Sequence, residues 1–277
     1  MAADVTPSEL PAEPTTPAVP TQAQLDHQAR VALGRHRPRF AFVYGLLGGV
    51  LVLAVVLVVL YAGRAITPAP KWSSWHPSGG GLGAAKQIAD QVGKSYRLPN
   101  GDQLVDVIAK APSVSPSSGE TIPLHYIAVE GTKGAGSKDY AISPSNSVTY
   151  DLCGLGSSCA IASGKPSVAR GTLVRREILE LALYTFKYVG GVDHVVAFMP
   201  PASTQAQYAI YLQKSDVAAE LKQPLAKTLA SKVPLPAKIP AREVHVVDSV
   251  TEPRVYKFGV AQAQTGDFVL VLTPLPA

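Results

Sequence analysis

The chain has 277 residues, with 25 Lys and Arg against 20 Asp and Glu and a formal net charge of +5. This mild excess forms no basic stripe interleaved with aromatic residues, which speaks against a nucleic-acid-binding protein. Hydrophobic residues make up 47% of the chain, and the length suffices to bury a sizeable core.

Residues 1–24 are poor in large apolar groups and rich in proline, threonine and alanine. Such a segment buries too little surface to offset its ordering entropy, so residues 1–39 are expected to form a disordered proline-rich tail. Pro11, Pro14, Pro17 and Pro20 recur every third residue. In a polyproline II helix they would line one edge, which either docks an aromatic groove or is simply solvated.

Residues 40–63, FAFVYGLLGGVLVLAVVLVVLYAG, carry neither charge nor proline. A bilayer core needs about 20 apolar helical residues, so the stretch is predicted to be a transmembrane helix, with the lipid bilayer as its partner. Tyr44 and Tyr61 stand near its ends, where amphipathic rings favour the interface. The run is longer than the apolar core of a cleaved signal peptide and follows a long polar tail, so it reads as an uncleaved signal anchor. Arg30, Arg35, Arg37 and Arg39 precede it, whereas only Arg64 and Lys71 follow closely. This bias predicts a cell-membrane protein with a cytoplasmic N-terminus and an extracytoplasmic C-terminal domain. Ala41, Gly45 and Gly49 are spaced by four, a small-residue face through which two such helices could form a homodimer.

Residues 64–83 read as a juxtamembrane linker of proline, glycine and serine. Its tryptophans, Trp72 and Trp75, either rest on the headgroup layer or pack on the domain. The folded domain is expected over residues 84–277. AAKQIADQVGKSYR predicts a short amphipathic helix, and QLVDVIAK and IPLHYIAVEG predict strands. EGTKGAGSKDYAISPSN reads as a long glycine-rich loop, and SVTYDLC as the next strand. SVARGTLVRREILELALYTFKYVGG predicts the main helix. It is apolar on so many sides that it should be central and buried, with Arg176 and Glu180 four apart and able to pair. DHVVAFMPP and QYAIYLQK are predicted strands, SDVAAELK and PLAKTLASK short helices, and VPLPAKIP an extended linker. REVHVVDSV reads as a strand, and RVYKFGVAQAQ with DFVLVLTPL as a hairpin about TGD. The mixture without strict alternation predicts an α+β domain, with a mostly antiparallel sheet around one central buried helix.

Both cysteines fall in YDLCGLGSSCAIASGKPS. Its SGKPS places proline after Lys165 and Cys159 where a phosphate-binding loop needs glycine, so no nucleotide site is expected. Cys153 and Cys159 lack the two-residue spacing of exchangeable redox centres. Outside the membrane an even cysteine count reads as a structural disulfide, one that stabilises by about 2–2.5 kcal/mol over so short a loop.

His125, His194 and His245 each fall at or near the start of a predicted strand and could converge on a metal, but no metal-ligand spacing supports this. Asp193 and His194 would point to opposite faces of a strand, and no serine elbow accompanies them. No catalytic residue, cofactor or metal ligand is therefore assigned. Lys165, Arg170, Arg175 and Arg176 cluster at the start of the main helix, where positive charge opposes the helix dipole. The compensation is either acidic neighbours such as Glu177, Asp151 or Asp139, or an external anion.

In this layout and in its alanine-, valine-, glycine- and proline-rich composition, the chain resembles actinobacterial single-pass membrane proteins with a proline-rich cytoplasmic tail and an exported domain. The resemblance spans the whole plan without a diagnostic motif and implies no activity. The leading expectation is a membrane-anchored extracytoplasmic binding or scaffolding protein of the cell envelope, with an envelope protein as partner. The alternatives are an envelope hydrolase without a recognisable motif and a transmembrane sensor acting through the proline-rich tail.

Overall fold

The fold is taken from a computed structural model that describes residues 22–62, 71–114, 121–131, 139–201 and 207–275. The chain divides near residue 68 into two units. The first is one long helix, α1 (Gln22–Ala62). Its window Phe42–Val59 has a mean hydropathy of 2.8 and none of it is buried. The helix extends past the expected start at residue 40 back to Gln22, so residues 22–39 of the expected disordered tail are helical. The proline repeat lies outside the described residues. Around Gly45 and Gly49 nothing described stands within 4 Å of where a Cβ would be, and the side chain of Ala41 lies outside the described residues.

The second unit is an α+β domain. In chain order its elements are α2 (Gly81–Gly93), β1 (Asp106–Lys110), β2 (Ser113–Val114), β3 (Ile122–Pro123), β4 (Tyr126–Gly131), β5 (Asp139–Pro144) and β6 (Ser147–Cys153). There follow α3 (Val168–Tyr188), β7 (His194–Phe198), β8 (Tyr208–Gln213), α4 (Ala218–Leu221), α5 (Leu225–Thr228), α6 (Ala241–Thr251), β9 (Val255–Gln262) and β10 (Phe268–Pro274). The described strands form a sheet in the order β1-β6-β7-β8-β9-β10-β4-β5, with β2 and β3 paired apart. Pairing is antiparallel except at β6 with β7 and β10 with β4. The parallel pair β6 and β7 needs a crossover, and α3 supplies it.

On one face of the sheet α2 and α3 pack, with α6 laid against α3. Ala84, Ala85, Ile88, Ala89 and Val92 recur at helical spacing and give α2 its buried side. On α3, Leu173, Ile178, Leu179, Leu181, Ala182 and Leu183 are all fully buried, as its broad apolar surface predicts. β7 and β8 are covered on both faces. Val195, Ala197, Ile210 and Leu212 point to the helix-side core, while Val196, Ala209 and Tyr211 join a second cluster. That double burial explains why HVVAF and YAIYL read as continuous apolar runs.

The second cluster also contains Ile127, Leu270 and Leu272. In a flat sheet β7 and β4 would lie about 19 Å apart at the usual strand spacing. Ser143 on β5 and Tyr211 on β8, also four strands apart in the sheet order, line one pocket, so the sheet curls upon itself.

Three stretches depart from the sequence reading. The linker is not free: residues 72–75 lie across the C-terminal half of α3, and α2 begins at Gly81 rather than near residue 84. Trp72 meets Tyr184 and Tyr188 edge-on at 5.5 and 5.6 Å, and Trp75 meets Tyr184 at 5.5 Å. Leu225 N–H donates to the Trp72 carbonyl at 2.7 Å, and Ser73 Oγ bonds Tyr188 at 2.7 Å. Of the two sites expected for the tryptophans, the domain is the one observed. β5 lies in the stretch read as loop and forms the sheet edge, paired to β4. REVHVVDSV is the helix α6, not a strand. Its β-branched residues mislead, but Glu243, Val247, Val250 and Thr251 are the buried ones, a helical spacing.

Candidate functional site

The cysteine-bearing segment forms a clasp between β6 and α3. The chain leaves β6 at Cys153, makes a single 3-10 turn (Ser157–Cys159) and returns, and Cys153 and Cys159 are disulfide-bonded. Gly154 N–H donates to the Cys159 carbonyl at 3.0 Å, and Gly156 N–H to the Ala160 carbonyl at 2.9 Å. A Cβ on Gly154 would stand 2.2 Å from the Ala160 oxygen, so only glycine fits there. Ser158 and Cys159 adopt left-handed backbone, with φ of 53° and 60°. Each costs about 1 kcal/mol or more for a non-glycine residue, which the covalent closure and the two hydrogen bonds hold in place.

Beside the clasp lies a groove of about 650 Å³, walled by the disulfide and by Val114, Leu152, Phe198, Met199, Phe258 and Val260. Asp151 also reaches it but is paired with Lys110. The groove is therefore mostly apolar, with its one described carboxylate already neutralised.

The four basic residues expected to gather at the start of α3 do not form one cluster. Lys165 is exposed on the preceding loop. Arg170 Nη1 donates to the Ser163 carbonyl at 2.6 Å, and its own N–H is capped by Ser167 Oγ at 3.2 Å. Arg175 pairs with Asp248 at 2.6 Å and Glu252 at 2.8 Å. Arg176 is fully buried. Arg175 and Arg176 are thus paired with acidic residues of α3, α6 and the turn after it: Glu180, Glu243, Asp248 and Glu252.

The histidines do not converge. His125 stands 3.3 Å from Asp267, His194 Nδ1 bonds Tyr211 at 2.8 Å, and His245 is exposed on α6. Burial lowers the His194 pKa, partly opposed by Asp193 and Asp216. Among the described residues no group of three or more His, Cys, Asp or Glu could hold a metal ion.

The densest polar constellation is on α3. Arg176 donates through Nε to Glu243 and through Nη1 to the Tyr96 hydroxyl. It also reaches Glu180 at 3.1 Å and the Ala230 carbonyl at 2.9 Å. Tyr96 in turn donates to Glu180 Oε2 at 2.6 Å, and Ala230 N–H reaches Glu243 at 3.4 Å. The expected pairing of Arg176 with Glu180 is present. Beside it, Glu177 is fully buried and neither carboxylate oxygen has a hydrogen-bond partner among the described residues. Burial, then the charge of Glu180, pushes the Glu177 pKa well above the ordinary carboxylate value, with Arg176 pulling the other way. Burial also raises Glu180, with Arg176 pulling the other way. Tyr96 is raised by burial and by Glu180, and Tyr184 is pushed up to about 12 by burial, with Glu180 adding.

Glu180 and Tyr184 open on a cavity of about 330 Å³, roofed by residues 71–74 and closed on the far side by the α5 region. Trp72 lines this cavity, and its buried indole Nε1–H has no partner among the described residues.

Sequence reasoning named Glu177 as an acidic neighbour but missed Tyr96, Glu243 and Trp72 as members of a site. One signal was present: α3 carries Arg175, Arg176, Glu177 and Glu180 within a surface otherwise too apolar to leave them all in water. Which element would meet them was not readable, because Glu243 lies on the helix mistaken for a strand. Comparison with known protein families, with curated proteins and with solved structures finds no match to this chain.

Proposed function

We propose that the protein is a membrane-anchored extracytoplasmic binding or scaffolding protein of the bacterial cell envelope. The observation that carries this reading is the window Phe42–Val59, apolar all round and wholly unburied, joined to a separate folded domain. A helix of that length and polarity without a covering partner matches the solvent of a bilayer. The arginines before it and their scarcity after it favour a cytoplasmic N-terminus. The disulfide in the domain agrees with an oxidising compartment on the far side. The groove beside the disulfide offers Phe198, Phe258 and Val260 as an apolar docking surface for a segment of an envelope protein.

The test is crosslinking in intact cells followed by purification from the membrane fraction. Variants lacking residues 1–24 or residues 84–277 serve as controls. The expected result is membrane recovery, protease accessibility of the C-terminal domain from outside, and an envelope partner lost when that domain is removed. Recovery in the soluble fraction, or no partner that depends on residues 84–277, would contradict the proposal.

A further inference from the structure

The strand β9 outruns one of its neighbours. β8 pairs with it only from Val255 to Lys257, whereas β10 pairs with it from Tyr256 to Gln262. Among the described strands, the stretch Phe258–Gln262 therefore has a partner on one side only. On the other side, backbone N–H and C=O groups of alternate residues point outward, a template for one more strand. Gly259, Val260, Ala261 and Gln262 are all exposed.

Folded proteins protect such edges with charge, proline or a bulge. The outer edges of the sheet follow that rule: β1 carries Asp106 and Lys110, and β5 carries Asp139 and Pro144. Phe258–Gln262, with the sequence FGVAQ, has neither charge nor proline and keeps an unbroken register with β10. An uncharged, regular edge of this kind is complementary to another extended backbone.

The groove beside the disulfide reaches this edge, for Phe258, Gly259 and Val260 line it in succession. Phe258 belongs to the second face of the sheet and meets Phe198 at 4.5 Å, and Val260 follows two residues on, on that same face. Gly259 has no side chain, so it lines the groove with its backbone. Cys153, Ser158 and Cys159 of the clasp form another wall. A groove with a strand edge on one side and a covalently closed loop on another fits a single extended segment better than the edge of a second sheet. Asp151, the one described carboxylate in its lining, is paired with Lys110, so the groove asks for an uncharged occupant. At about 650 Å³ it has room for several side chains.

We propose that Phe258–Gln262 binds an extended, uncharged segment of a partner protein by strand addition. The segment hydrogen-bonds the free edge of β9 and sets alternate apolar side chains against Phe198, Phe258 and Val260. This deepens the docking role proposed above and rests on it. That reading needs only an apolar groove; strand addition assigns the conformation of the partner and the backbone bonds that hold it.

The full chain in a maltoside detergent is titrated into a fluorescently labelled peptide that alternates threonine and valine, and anisotropy is followed. One control peptide has the same side chains but a methyl group on every backbone nitrogen, which removes its donors. A second has aspartate in place of valine. The parent peptide should give a saturable rise. The methylated peptide should bind about tenfold more weakly, as the loss of one or two backbone hydrogen bonds would dictate. The aspartate peptide should not bind.

Val260→Lys places a charge on the edge at an exposed position and should also weaken the parent peptide about tenfold, with an unchanged far-ultraviolet circular dichroism spectrum. Equal binding of the parent and methylated peptides would overturn strand addition and leave the apolar groove as a docking surface. No saturable binding of the parent, or undiminished binding by Val260→Lys, would also overturn it. So would a wild-type dimer in sedimentation that Val260→Lys dissociates, since the edge would then belong to a second copy of the chain. Failure of the docking role itself is read separately, from the absence in cells of a partner that depends on residues 84–277.

Discussion

The two faces of the sheet are closed by different chemistry. On the helix side, Arg176, Glu177 and Glu243 are buried among leucines, with Tyr96 and Thr185 beside them. On the other side, Val114, Leu124, Ile127, Val196, Ala209, Leu270 and Leu272 pack together, with Tyr211 and the buried Thr149 as uncharged polar members. The second side shows that this chain can close a core without burying a charged side chain among its described residues. Burying charge is expensive, and a buried ion network is often no more stable than an apolar replacement of similar volume. The helix side therefore holds more polarity than folding requires.

The largest expected effect comes from removing the hub of that network. Arg176→Met leaves Glu180 and Glu243 buried without their cation and should destabilise the domain by about 3–5 kcal/mol in denaturant unfolding. Replacing all three residues together, as Arg176→Met with Glu180→Leu and Glu243→Leu, should recover most of that loss. If the triple variant is as unstable as the single one, the contrast between the two faces fails. On the apolar side, Leu272→Ala should cost about 3 kcal/mol through the cavity it leaves, with no dependence on pH.

Opening the clasp is a smaller change. Cys153→Ser with Cys159→Ser should lower stability by about 2 kcal/mol, while the fold persists in far-ultraviolet circular dichroism. Smallest of all is Arg175→Ala. Its partners Asp248 and Glu252 keep 32% and 58% side-chain exposure, so water screens the pair and the loss should stay below about 1 kcal/mol. Neighbours in sequence, Arg175 and Arg176 would then differ severalfold in what their removal costs, and equal losses would erase the distinction drawn between surface and buried charge.

How much of this was legible depended on whether the signal was local. β6, the main helix and the final hairpin carry their own periodicity, and residues 153 and 159 needed only their spacing and count. The N-terminal boundary of α1 was missed because its polar residues up to Arg39 bear no apolar signature. β5 was missed because Tyr140 and Ile142 stand in an exposed edge strand flanked by glycine and serine. α6 was misread because four valines within eleven residues resemble a strand, and only its packing on α3 reveals the helical side. The pairing of Arg176 with Glu243 joins residues 67 apart, and the roof of the cavity comes from a stretch that reads as linker. No local pattern encodes such contacts; they follow from how the chain closes.

The most direct test of the polar helix-side core is the pH dependence contributed by Glu177. Its carboxyl faces Arg176, Glu180 and Tyr96, and burial lifts its pKa above the ordinary value of 4.5. A carboxyl raised in this way stabilises the folded state fully below its unfolded pKa, and that contribution is lost as pH rises through the folded value. Urea unfolding of the full chain in detergent should be followed from about pH 4 to about pH 8 for the wild type and Glu177→Gln. The variant should gain stability relative to the wild type as pH rises, by up to about 1.4 kcal/mol per unit until the folded pKa is passed. Two profiles that stay parallel across the whole range would contradict a buried, unpartnered carboxyl on α3.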